Sequence, residues 1–96
     1  MYGLIGKITC VPGHRDSLVA QLLAGTGEMP GCRSYVVATD PADPNGVWIT
    51  EVWDSAQHHK DSLMLPQVKQ AIAAARPIIA GFEHSFETTP VGGVGV

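Results

Sequence analysis

Two passes of strand, helix and strand follow one another along this 96-residue chain, and that order constrains its fold more than any other feature. The first strand is Tyr2-Gly-Leu-Ile-Gly-Lys-Ile-Thr-Cys10, with Leu4 and Ile8 on one face and Ile5, Lys7 and Thr9 on the other. Pro12-Gly13 ends it. Leu18, Val19, Leu22 and Leu23 then fall on one stripe of a helix spanning about His14 to Thr26. After the turn Met29-Pro30-Gly31, the strand formers from Cys32 to Thr39 run into a turn-rich segment, Asp40 to Gly46. Val47 to Trp53 resumes the alternation, placing Val47, Ile49, Glu51 and Trp53 on one face and Trp48, Thr50 and Val52 on the other.

Asp54-Ser55 offers a cap for a second helix running to Ser62. Leu65-Pro66 breaks and restarts it, because proline is accepted only in the first turn of a helix. Val68, Ala71, Ile72 and Ala75 form the stripe of the restarted segment, and Pro77 ends it. Ala80 to Thr88 alternates again, a pattern that predicts Phe82, His84 and Phe86 on one face. The order β-α-β-β-α-β is that of the ferredoxin-like split unit, an α+β fold with a four-stranded antiparallel sheet and its helices on one face. Parity would then leave Ile5, Tyr35, Val37, Trp48 and Val52 facing water on the other side. A chain this short buries only about two-thirds of its unfolded surface, so a second copy is expected to cover that face as a homodimer. The glycine-rich tail, residues 89–96, is expected to reach over the partner.

Composition removes several function classes. Six Lys and Arg against nine Asp and Glu leave a formal charge of −3, with the cations scattered, so no footprint for nucleic acid or an anionic membrane surface is present. Neither a leader pattern nor a run of about 20 apolar residues occurs, which reads as a cytoplasmic protein. Cys10 and Cys32 belong to no CxxC pair and read as reduced thiols. His14, His58, His59 and His84 lack ligand spacing, so no metal is expected. Gly92-Gly93-Val94-Gly95 follows no strand-to-helix turn, so no nucleotide or flavin cofactor is expected either.

Several segments, in order and at fitting spacing, carry a resemblance: Pro12-Gly13-His14-Arg15, Glu51-Val52-Trp53-Asp54, His59 through Ser62-Leu63, Leu65-Pro66-Gln67-Val68, Arg76 to Phe82, and Pro90-Val91-Gly92-Gly93. Over nearly the whole chain this resembles the antibiotic biosynthesis monooxygenase domain family. The resemblance implies one domain over residues 1–96, a dimeric α/β barrel, and a site in the cleft between sheet and helices. Parity points Glu51 and Trp53 at that cleft, and His59 shares a helical face with Ser62 and Leu63. His59 and Glu51 are therefore the catalytic candidates, an imidazole with an unperturbed pKa near 6.5 beside a carboxylate. Trp53, Ser62, Leu63, Phe82 and His84 are the candidates for substrate contact. Four of them have a structural alternative: Glu51 bonded within the sheet, His59 at the surface, Trp53 in the core, His84 a satisfied core or interface histidine. His58, about 100° round the helix from His59, is expected in solvent.

The family includes cofactor-free quinol oxygenases, and this resemblance implies a cofactor-independent monooxygenase that combines a small aromatic or quinol-like compound with O2. Electron-rich phenols, once deprotonated, pass an electron to O2 directly, so the protein need supply only a dry pocket, a base and donors for the anion. Two rival readings stand beside it. One is a non-catalytic small-ligand-binding or stress-associated barrel. The other is a relative of the haem-degrading oxygenases, whose Asn, Trp and His places hold Gly6, Ser62 and Ile72 here, so productive haem binding is not expected.

Overall fold

A computed structural model describes residues 1–96. Its elements are β1 (Tyr2–Cys10), α1 (Arg15–Ala24), β2 (Cys32–Thr39), β3 (Gly46–Trp53), α2 (Ala56–Ser62), α3 (Pro66–Ala75) and β4 (Ile79–Thr88), with a single 3-10 turn at Arg76–Ile78. The strands form one sheet in the order β2-β3-β1-β4 with every neighbouring pair antiparallel, the ferredoxin-like arrangement expected from the element order. Pro66 occupies the start of α3, where its missing N–H costs no helical hydrogen bond. No helix is long and apolar enough to cross a membrane.

The core lies between the two central strands and two helices. Ile8 and Cys10 of β1 and Val47 and Ile49 of β3 meet Leu18 of α1 and Ala75 of α3. Leu18, Val47 and Cys10 are fully buried, and each aliphatic side chain so enclosed contributes about 1.5–3 kcal/mol. Leu23 is 51% exposed, so α1 rests on the sheet through Leu18, Val19 and Leu22 only. Both cysteines are free thiols.

Two expectations about faces are corrected by strand pairing. Tyr35 stands opposite Glu51 and Val37 opposite Ile49; directly opposed residues project to the same side of a sheet, so Tyr35 and Val37 face the helices. Val36 and Ala38 take their place on the outer face, beside Trp48, Val52 and Ile5. In β4, Lys7 pairs with His84 but Ile8 pairs with Phe82, which leaves Glu83 without a partner on β1. One extra residue in a strand reverses the alternation beyond it. Phe82 therefore lies on the helix side, while His84 and Phe86 lie on the outer face, where His84 stacks on Trp48 at 5.7 Å and on Phe86 at 5.8 Å.

The same outer face holds an ionic cluster. Lys7 Nζ lies 3.2 Å from Asp40, 3.0 Å from Asp43 and 3.0 Å from Glu83, and 5.9 Å from the Trp48 ring centroid. The indole N–H of Trp48 donates to Asp40 at 2.9 Å. That bond, the amide of Ala42 and the Lys7 ammonium hold the Asp40 carboxyl down at about 2.

Candidate active site

Glu51 and Trp53 stand two residues apart on β3 and so share its helix-facing side. The Trp53 indole N–H donates to Glu51 Oε1 at 3.1 Å, which aligns the carboxylate along the strand. Trp53 itself is fully buried. Helix α2 begins immediately after β3. Ser55 Oγ accepts the backbone N–H of His58 at 3.2 Å and meets His58 Nδ1 at 2.7 Å, closing the first turn with one side chain.

The His58 ring in turn lies over Gly31, whose φ of +80° and tight surroundings leave no room for a side chain. His58 is thus half-buried at a helix start, contrary to the expectation that it faces solvent. The next residue round the helix, His59, is carried over the sheet. Its Nε2 lies 3.9 Å from Glu51 Oε1, and its ring stands edge-on to Trp53 at 5.5 Å and tilted against Tyr2 at 5.9 Å.

Between the sheet and helices α1 and α3 is a cavity of about 280 Å³, of whose eighteen lining residues thirteen are hydrophobic. Glu51, Trp53, His59, Ser62, Leu63 and Phe82 all reach it. His84 does not, because the irregularity in β4 turns it to the opposite face. Ser62 lines the cavity with its hydroxyl already committed, donating to the His59 carbonyl at 2.6 Å. Burial among apolar groups raises the Glu51 carboxyl above the usual carboxylate range, although the Trp53 bond and the His59 ring both draw it down. Tyr35 is a cavity residue that sequence reasoning missed. Its neighbour Val36 is also apolar, so alternation within β2 does not say which of the two faces inward; only pairing with Glu51 does.

The sequence profile described as Antibiotic biosynthesis monooxygenase matches residues 1–74. The chain belongs to the antibiotic biosynthesis monooxygenase family. Among solved structures, it is similar to a candidate antibiotic biosynthesis monooxygenase from Chloroflexus aurantiacus, with 60% identity over 98% of this chain and 96% of that one and a TM-score of 0.96. A second, from Deinococcus radiodurans, is 24% identical over 100% and 98% of the two chains with a TM-score of 0.76. A third, from Caulobacter crescentus, is 19% identical over 95% and 90% with a TM-score of 0.84. These last two share the fold. No curated protein matches the chain.

In this antibiotic biosynthesis monooxygenase family member the polar groups of the cleft converge at one end, near β3 and α2. A carboxylate in apolar surroundings holds a proton more firmly than in water, and an adjacent imidazole can exchange one with it. The arrangement is suited to taking a proton from a hydroxyl whose remaining atoms are buried in the apolar part of the cavity.

Proposed function

We propose that the protein is a cofactor-independent monooxygenase that combines a small aromatic or quinol-like compound with O2. The observation that carries this reading is the Glu51–His59 pair, 3.9 Å apart at the wall of an apolar cavity. A hydroxyl oxygen lying about 2.8 Å from both Oε1 and Nε2 closes a triangle on that edge and sits at hydrogen-bond distance from each. Transfer of its proton to the pair leaves an electron-rich anion, a step for which a positioned base is worth about 10²- to 10⁴-fold in rate.

The anion passes one electron to O2. Recombination of the two radicals forms a ring C–O bond and a hydroperoxide, and the pair returns a proton as the O–O bond breaks. One oxygen atom stays on the ring and the other leaves as water. A quinol plus O2 thus gives a hydroxyquinone plus water, with all electrons supplied by the substrate. The apolar walls keep bulk water from the intermediate.

The functional unit in this reading is a homodimer. Ile5, Val36, Trp48, Val52 and Phe86 lie on the sheet face away from the helices, where Val36 and Phe86 are more than half exposed, and a second sheet packed against it would bury more than about 2,000 Å² in total. The test of function is oxygen uptake on a panel of quinols by the wild type, His59→Ala and Glu51→Gln, with thermal melts alongside. A loss of about 10²- to 10⁴-fold in a stable His59→Ala protein is expected. Unchanged turnover in that variant removes the imidazole from the mechanism. Saturable binding by the wild type without oxygen uptake makes the protein a ligand-binding barrel.

A further inference from the structure

Ile72, Ile79 and Phe82 line the apolar cavity and also a second, open depression, whose remaining lining is Arg76, Ala80 and Gly81. Two of the shared side chains stand well out in solvent, Phe82 at 73% and Ile72 at 40% exposure, so they form an apolar threshold between the two spaces. Strand register sets where that threshold lies. Glu51 stands opposite Leu4 of β1 and Phe82 opposite Ile8, four residues or about 13 Å further along the strand. Ile79 lies further still, opposite Cys10. The second depression therefore opens at the end of the cleft away from the Glu51–His59 pair.

Arg76 is the cation at this mouth. Among the six Lys and Arg, Lys7 is held by three carboxylates, Arg33 by Asp54, and Arg15 by the Asp40 and Asp43 carbonyls. Lys60 and Lys69 line neither space. The Arg76 guanidinium makes no ion pair and no hydrogen bond within the chain. Its root is nonetheless fixed beside a threshold residue, because the Arg76 backbone N–H donates to the Ile72 carbonyl at the end of α3.

From this placement we infer that Arg76 is a specificity-determining residue whose guanidinium binds a carboxylate carried by the compound whose ring occupies the cavity. The inference rests on the reading of the cleft as a site for aromatic oxygen compounds and narrows their class. The preferred ligand has a ring hydroxyl at the Glu51–His59 end, an apolar middle that crosses Ile72, Ile79 and Phe82, and an acidic arm that ends at Arg76. The planar fork of guanidinium N–H donors matches the two oxygens of a carboxylate. Apolar groups beside the pair exclude part of the surrounding water and strengthen it over one in open solvent.

Two small probes inert to O2 separate this role from the oxygenation chemistry. 4-(4-Hydroxyphenyl)butanoate carries a phenol and a carboxylate; its primary amide has nearly the same shape without the charge. NMR titrations at low salt compare the wild type, Arg76→Gln and Lys69→Gln, the last removing an equal charge from a solvent-facing position on α3 that lines neither space. Arg76→Gln is expected to lose about fivefold in affinity for the acid, the worth of a partly exposed ion pair, and less than twofold for the amide. Lys69→Gln is expected to change neither by as much as twofold. Because the Arg76 side chain has no partner within the chain, Arg76→Gln is expected to melt with the wild type. Equal losses for both probes, equal losses in the two charge variants, unchanged acid binding by Arg76→Gln, or no saturable binding of either probe by the wild type overturns the assignment. Oxygen uptake on the quinol panel is read separately. An Arg76-dependent preference for the acid without uptake defeats the oxygenase reading and leaves the anion subsite standing, whereas uptake with no such preference does the reverse.

Discussion

Replacing Gly31 with alanine tests how α2, and with it His59, is held over the sheet. Gly31 sits in the left-handed region at φ +80°, and a Cβ built there would lie 2.7 Å from His58 Cβ and closer still to the imidazole ring. The backbone conformation alone costs an L-residue about 1–2 kcal/mol. Displacing the His58 ring breaks its bond to Ser55, worth about 1 kcal/mol more. The sum is about 2–3 kcal/mol, or about 10–20 °C in Tm for a domain of this size.

Two other glycines separate the contributions. Gly13 has φ +84° and open space around it, so Gly13→Ala meets only the backbone cost, partly offset by a stiffer unfolded chain. Gly81 has neither positive φ nor any neighbour within 4 Å, so alanine there is neutral or slightly stabilising. Thermal melts at one fixed protein concentration are expected to rank Gly31→Ala lowest, Gly13→Ala next and Gly81→Ala at or above the wild type. Under the proposed oxygenase function, oxygen uptake supplies an independent reading, since moving an acting group by about 1 Å costs about 10²-fold, and His59 follows His58 directly. Gly31→Ala should thus lose oxygen uptake at temperatures where it remains folded. Melts of Gly31→Ala and Gly81→Ala that coincide, or full activity in the folded Gly31 variant, would refute the reasoning that His58 and Gly31 position the helix.

Glu51 makes stability depend on pH in a defined sense. Its raised carboxyl binds a proton more tightly in the folded than in the unfolded chain, so this contribution to stability is complete below the ordinary glutamate value and is lost as pH rises through the raised one. Glu51→Gln, uncharged throughout, should gain Tm relative to the wild type between about pH 4 and pH 8; a difference that does not change with pH contradicts the burial argument. On the outer face, Trp48→Glu removes the stack with His84 and puts a charge at its centre. Light scattering is expected to give about 20 kDa for the wild type, twice the 10.1 kDa chain, and half that for the variant. A wild type that stays monomeric at micromolar concentration ends the dimer proposal.

Much of this molecule was written in local pattern. Strand and helix periods, the proline restart at Pro66 and the Ser55 cap placed every element within a residue or two, because each depends on neighbours a few positions away. Alternation along β1 and β3 also assigned Leu4, Ile8, Glu51 and Trp53 to the helix side, since both strands are regular where they pair with each other. The family resemblance supplied the cleft, and strand parity and helix phase then turned Glu51 and His59 towards it.

What failed were the edge strands. Tyr35 and Val36 are both apolar, so β2 carries two equally good phases, and hydrogen bonding to β3 chose the one that sends Tyr35 into the cavity. In β4, Phe82, His84 and Phe86 alternate without fault in the sequence, yet an unpaired Glu83 reverses the face between the first and the second. The extra residue exists only in the pairing with β1, where Glu83 joins Asp40 and Asp43 around Lys7. Parity is a property of one chain segment, whereas register belongs to two segments distant in sequence. The side of the sheet taken by Glu51 and Trp53 was therefore set by local pattern, while the faces taken by Tyr35 and His84 were decided only when the strands came together.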